Sequence, residues 1–156
     1  MKIINWENKE AVEAAVQVID SGGILVYPTD TIYGFGINAK DPIAIDKLNS
    51  LKNRTGPISV IAPDKRTVSN WLNVKEEKKI HATNHLDVQN TIIDPGKKNI
   101  VHKKIMGPDN TLGIRIPNHP FCKLIANLCI APITTTSVNR TGEPPRNNVE
   151  EILNSF

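Results

Sequence analysis

Four polar segments interrupt the apolar stretches of this 156-residue chain, and each carries side chains able to hold a charged or hydroxylated ligand. The first is Thr29-Asp30-Thr31-Ile32-Tyr33-Gly34. Two hydroxyls flank a carboxylate, and a phenol and a glycine follow, giving small donors and acceptors beside a backbone that a ligand can approach closely. The same residues also suit a turn whose hydroxyls cap their own backbone. The second is Lys52-Asn53-Arg54. Two cations so close can reach one phosphate chain, the ammonium as a point charge and the guanidinium as a fork. Cations at a helix C-terminus also answer the macrodipole. The third is Arg115, in the otherwise apolar run Gly113-Ile114-Arg115-Ile116-Pro117, where it either leaves a sheet edge for solvent or enters a cleft to meet an anion. The fourth, Thr134 to Gly142, holds six hydroxyl or amide side chains within eight residues. That is more than a turn needs, and it suits a ribose, a phosphate or an amino-acid carboxylate.

Other chemistry is absent from the pattern. His81 and His85 have i,i+4 spacing, but His-Ala-Thr-Asn-His lacks the glutamate of a zinc-protease helix. Neither a Walker loop nor G-x-G-x-x-G occurs. Cys122 and Cys129 lie seven apart, nearly two helical turns, and read as small core residues on one buried stripe, not as a disulfide or metal pair.

The elements that position these segments alternate between helix and strand. Residues 8 to 20 place Val12, Ala15, Val16 and Ile19 on one helical face, and Gly22-Gly23 stops the helix. Ile24 to Tyr27 reads as a buried strand, and from Pro28 to Gly36 the chain is polar and glycine-bearing. Asp41 caps a second helix with Pro42 at its first position and Ala44, Ile45, Leu48 and Leu51 inward. Residues 57–62 form a strand and residues 67–72 a short helix. Residues 75–104 are the least legible, with strands expected at 91–93 and 100–105. A strand at 111–117, a helix at 121–130 with Leu124, Ile125 and Leu128 inward, a strand at 132–136 and a helix at 149–153 complete the reading. This predicts an α/β domain with a mixed sheet, antiparallel in part because residues 90–116 read as consecutive strands.

Composition bounds the function. With 39% hydrophobic and 22% charged residues the chain is expected to form one domain over residues 1–156. No apolar run approaches the ~20 residues that span a bilayer, and no signal-peptide pattern opens the sequence, so a cytoplasmic protein without membrane partners is expected. Nineteen Lys and Arg against sixteen Asp and Glu leave +3, and aromatics are 4%. Such a balance permits an anionic small molecule or RNA but not strong RNA binding by base stacking.

In this order, P-T-D-T-I-Y-G, K-N-R, P-I-S-V, G-I-R-I-P and T-T-S-V-N-R-T-G resemble the Sua5/YrdC/TsaC family, the threonylcarbamoyl-AMP synthases. The resemblance covers residues 10 to 146 and implies an α/β fold, YrdC-like, with a twisted mixed sheet flanked by helices. The implied reaction joins L-threonine, bicarbonate and ATP into L-threonylcarbamoyladenylate and releases pyrophosphate. A downstream threonylcarbamoyl transferase complex then modifies adenosine 37 of tRNA, and tRNA itself is an implied partner. By resemblance, Lys52 and Arg54 would hold the triphosphate with its Mg2+ as the catalytic cations, with no metal site in the protein. Thr29, Thr31, Tyr33, Arg115 and Thr135 would bind threonine. Thr111, Ser137 and Asn139 would contact the nucleotide. The sequence departs from the family pattern between Arg54 and Pro57, in lacking a W/L-P-G-P-x-T segment, and in the seventeen residues after Asn139, short for the family. Two other readings stay open: an RNA- or nucleotide-binding relative without adenylate synthesis, and a ligand-binding regulatory module.

Overall fold

A computed structural model describes residues 2–86 and 90–156. Helix α1 (Ala11–Asp20) buries Ala11, Ala15 and Ile19, one residue per turn. Gly22, at φ +75°, ends it by donating to Ile19 O at 3.1 Å. Strands β1 (Leu25–Tyr27) and β2 (Gly34–Gly36) follow, then α2 (Pro42–Lys52). The Asp41 side chain caps α2 by accepting from Ile43 N at 2.8 Å, and Asn53 closes it in the left-handed region at φ 51°. Strand β3 (Ser59–Ile61) and helices α3 (Lys65–Trp71) and α4 (Glu76–Asn84) precede β4 (Ile92–Pro95) and β5 (Thr111–Arg115). Helix α5 (Pro120–Leu128), strand β6 (Ile133–Ser137) and helix α6 (Val149–Ser155) complete the described elements.

The strands form one mixed sheet in the order β1-β2-β6-β3-β5-β4, in which only β3 and β5 run parallel. Alternation along each strand separates two cores. Phe35, Ile37, Val60, Leu112 and Ile114 face one way and pack with Ala44, Ile45 and Leu48 of α2, Val68 of α3, Ala82 of α4 and Ile152 of α6. Tyr27, Ile61 and Ile133 face the other way, against Ala15 and Ile19 of α1 and Phe121, Cys122 and Ile125 of α5. On that second face Ser59, Thr111, Gly113, Thr135 and Ser137 remain only half-buried. The two helices cover one half of the face and leave a polar shelf on the other.

Several expectations are corrected. Gly34–Gly36, in the polar glycine-bearing stretch where no element is expected, is a strand. Its glycines hid the alternation, yet a β-carbon on Gly36 would lie 2.8 Å from the Tyr27 ring and 2.9 Å from Ile133. Residues 100–105 are no strand: Val101 and Ile105 are buried four apart with exposed Lys103 and Lys104 between them, and Lys103–Ile105 is a 3-10 turn. Helix α4 leaves no apolar stripe in the sequence because Ala82 is the residue it buries. Leu124 and Leu128 point outward and are exposed, since α5 turns the stripe carrying the Phe121 ring to the core. Cys129 lies beyond the last turn of α5 and is half-buried, so it does not share the fully buried place of Cys122.

Candidate functional site

Lys52 continues the Ala44–Ile45–Leu48 stripe of α2 by one more turn, and the same periodicity that buries the leucine buries the lysine. The residue is 3% exposed. Its ammonium donates to Ser137 O, to Asn139 O at 2.8 Å and to Asn139 Oδ1 at 3.1 Å, and lies 5.5 Å from the centre of the Phe35 ring. Its own carbonyl accepts from Thr141 N at 2.8 Å. Lys52 therefore ties the end of α2 to the turn after β6. With three oxygen acceptors in place, a phosphate engages this ammonium only by displacing one of them. Burial pushes the Lys52 ammonium down to about 8, and Arg54 adds to that, while the three oxygens favour the charged form.

Ser137 and Asn139 belong to the same network. Ser137 Oγ donates to Asn139 Oδ1 at 2.5 Å, and Asn139 Nδ2 donates to Arg140 O at 3.1 Å and Glu143 O at 2.7 Å. Arg140 is drawn inward, donating to Leu51 O and Ser155 O beside the Phe156 ring. Much of the hydroxyl-rich fourth segment thus holds its own turn. Thr134, fully buried, accepts from Ile37 N at 3.1 Å inside the sheet. Arg54, just past the left-handed Asn53, uses Nη2 to donate to Pro57 O at 2.7 Å. It lines a cavity of about 380 Å³ together with Lys52, Thr136, Ser137, Asn139 and Gly142. It also lines a shallower one of about 540 Å³ over the end of α2, with Asn49, Ser50 and Asn53. Thr111 starts β5 at this end of the sheet, where a β-carbon on Gly107 would touch both Thr111 Oγ1 and the Pro57 ring.

The second cluster lies around the other end of β5. Arg115 Nη2 meets Asp30 Oδ1 at 2.8 Å, with side chains only 15% and 9% exposed. Asp30, the carboxylate between its two threonines, is the residue of this cluster that sequence reasoning misses. The signal for it is an arginine in an apolar strand, which needs a counter-ion. Thr29 Oγ1 is used by its own turn, accepting from Thr31 N and Ile32 N and donating to Ile32 O at 2.6 Å. The capping reading of this segment holds for Thr29, while Thr31 beside it is exposed. A β-carbon on Gly34 would sit 3.6 Å from Thr135 Oγ1 and 3.6 Å from Thr29 Cγ2, so the glycine leaves a niche that these threonines line. Tyr33 is half-buried against the larger core cluster. Tyr27, beneath the niche, donates to Thr134 O at 3.1 Å. Behind Asp30, burial lowers the His119 imidazole, whose ring meets Trp6 edge-on at 4.8 Å.

Cys122 Sγ donates to Pro28 O at 3.1 Å, and burial pushes its thiol up to about 12. Burial likewise moves Cys129 to about 11. At pH 7.5 on the order of one thiol in a thousand or fewer is a reactive thiolate. Iodoacetamide should therefore leave both cysteines of the folded protein unlabelled over minutes and modify both in guanidinium, read by intact mass. Among the described residues no three His, Cys, Asp or Glu gather to hold a metal, and His81 and His85 simply stack at 4.2 Å. No helix among them is long and apolar enough to cross a membrane.

A relative from Methanocaldococcus jannaschii is 34% identical over 156 aligned residues, covering 94% of this chain and 69% of its own length. The threonylcarbamoyl-AMP synthase of Vibrio campbellii is 29% identical, covering 90% of this chain and 78% of its own. E. coli YciO superposes with a TM-score of 0.83 at 23% identity, over 96% of this chain and 74% of that one. P. abyssi Sua5 complexed with L-threonine superposes at 0.82 with 22% identity, over 98% of this chain. This chain spans 45% of that Sua5 chain, and at these identities the two likenesses are of fold. The family model Sua5/YciO/YrdC, described as "Telomere recombination", matches residues 17–156. The chain belongs to the Sua5/YciO/YrdC family.

Proposed function

We propose that this chain is an L-threonylcarbamoyladenylate synthase, joining L-threonine, bicarbonate and ATP and releasing pyrophosphate, the product serving N6-threonylcarbamoylation of adenosine 37 in tRNA by a partner complex. The observation that carries the reading is one polar shelf with a cation at each end. The guanidinium of Arg115, held by Asp30, stands at one end, and Lys52 and Arg54 stand at the other. Threonine's carboxylate is matched to Arg115, with Thr29, Thr31 and Thr135 near its hydroxyl, and Tyr33 on the far side of β2. A triphosphate is matched to Arg54 and the cavity it lines, with Thr111, Ser137 and Asn139 toward the nucleoside.

The chemistry asks for little acid or base work. Threonine's amine takes up carbon dioxide derived from bicarbonate, and a carbamate oxygen then attacks the α-phosphorus of ATP. Adenylyl transfer of this kind depends on alignment and on neutralising charge that builds on the phosphates. Magnesium would arrive with the nucleotide and offset the charge of its phosphates at the end of the shelf lined by Arg54. The deciding assay is pyrophosphate release by the full chain with all three substrates. Release that requires both threonine and bicarbonate supports the reading. Tight tRNA binding without such release overturns it in favour of a nucleic-acid-binding relative.

A further inference from the structure

Ser59 stands at the middle of the shelf. It pairs with Thr135 of β6, and the parallel register of Val60 with Ile114 and Ile61 with Arg115 sets it beside Gly113 of β5. Its hydroxyl is turned onto the shelf, because a β-carbon on Gly113 would lie 2.4 Å from Ser59 Oγ. No described residue hydrogen-bonds that hydroxyl, and Ser59 is half-buried. Its neighbours differ. Ser137 Oγ is spent on Asn139, whereas Thr135 lies beside the Tyr27 hydroxyl, itself committed to Thr134 O. Ser59 offers an uncommitted donor flanked by Thr135 on β6 and open toward β5, where its partner is glycine.

Distance along the strands says what would meet it. At about 3.3 Å per residue, the row holding Ser59 lies about 7 Å from the row of Arg115 and about 7 Å from that of Thr111. In the adenylate, the chain from the threonine carboxyl carbon to phosphorus runs through Cα, N, the carbamoyl carbon and one oxygen, about 6 to 7 Å extended. With threonine's carboxylate at Arg115 and the phosphates toward the Lys52–Arg54 end, the carboxyl carbon stands about 4 Å from the guanidinium and the carbamoyl carbon about 4 Å farther on, which brings it near the row of Ser59. We infer that the Ser59 hydroxyl binds the bicarbonate-derived carboxylate of threonine carbamate, donating to one oxygen while the other attacks the α-phosphorus. Carbamate formation joins nitrogen to carbon; the bicarbonate hydroxyl leaves with one ammonium proton as water, and a second ammonium proton passes to solvent. In the second step the new oxygen–phosphorus bond forms as the bond to the β-phosphate oxygen breaks, and pyrophosphate carries off the electron pair. The inference rests on the adenylate-forming reading above.

The test measures KM for each substrate in pyrophosphate release by the full chain. Ser59→Ala should raise the bicarbonate KM about tenfold and leave those for threonine and ATP within about twofold, as expected for loss of one hydrogen bond to a charged group. Ser59→Thr, which keeps the donor, should stay near wild type. Gly113→Ala, whose methyl displaces the hydroxyl, should reproduce the bicarbonate defect and add little to Ser59→Ala in the double variant. Melting curves confirm that each variant folds. An unchanged bicarbonate KM in Ser59→Ala, or an equal rise in all three, overturns the role of Ser59 alone. A wild-type chain that releases no pyrophosphate overturns the adenylate reading and this one with it.

Discussion

Lys52→Met should reduce threonine- and bicarbonate-dependent pyrophosphate release by at least about 100-fold and lower the melting temperature as well. The variant keeps the length of the stem that packs under Phe35 but removes the ammonium. Asn139 O then loses its donor in a place with little water, and Ser137 O and Asn139 Oδ1 keep only the bonds from Asn139 N and Ser137 Oγ. Each buried acceptor left unpaired costs about 1–3 kcal/mol. The turn after β6, which shapes one wall of the cavity lined by Arg54, loses the link that fixes it to α2. Arg54→Ala removes a rim cation whose own hydrogen bond is local to Pro57. It should raise the KM for ATP with little change in melting temperature, and that contrast separates the phosphate ligand from the residue that holds the turn.

The same lysine gives the enzyme an alkaline limit. Its ammonium is lowered from 10.5 to about 8, so turnover should fall as the pH rises through about 8, where the charge is lost. Stability should move the other way. Between about 8 and 10.5 the unfolded chain holds this proton and the folded chain does not, so the contribution of Lys52 to stability rises with pH across that window. An alkaline fall in rate without a fall in melting temperature, absent from the residual activity of Lys52→Met, identifies the group.

The sequence reveals the cations and hydroxyls better than what they spend themselves on. Asp41-Pro42 announces the start of α2, and the stripe Ala44, Ile45, Leu48 leads by simple periodicity to Lys52. That stripe already implies a buried ammonium, and a buried ammonium needs acceptors. What periodicity does not supply is their source, because the turn after β6 lies 85 residues away along the chain. Thr29 is legible as a turn-former, since its partners are two and three residues off. Strand β2 was hidden for the opposite reason: its glycines are set by Tyr27 and Ile133 on neighbouring strands. Helix α5 shows a third limit, because Leu124, Ile125 and Leu128 make as good a local stripe as Phe121, Cys122 and Ile125. Only the sheet decides between them. Local order is written locally, while the network that shapes the site is written in pairs of distant segments.

Asp30→Asn should raise the KM for threonine by about 10- to 100-fold while leaving the KM for ATP nearly unchanged. The asparagine keeps the shape of the carboxylate and a carbonyl for Arg115 Nη2, but not the charge that holds the guanidinium within the shelf. Burying an ion pair gains little in net stability, whereas removing one partner leaves the other charge desolvated, at about 3–5 kcal/mol. Arg115→Met should cost more in threonine binding, because it removes the carboxylate's partner itself, and it strands Asp30 beside the buried Cys122 and His119. The double variant Asp30→Asn with Arg115→Met separates the two roles. Its melting temperature should recover toward wild type, since neither charge is left unpaired, but its threonine KM should stay as high as that of Arg115→Met. If Asp30 instead acted only as a structural cap for its loop, the double variant would be less stable than either single one. Recovery of stability without recovery of binding makes Arg115 the ligand for the amino acid and Asp30 the residue that holds it in place.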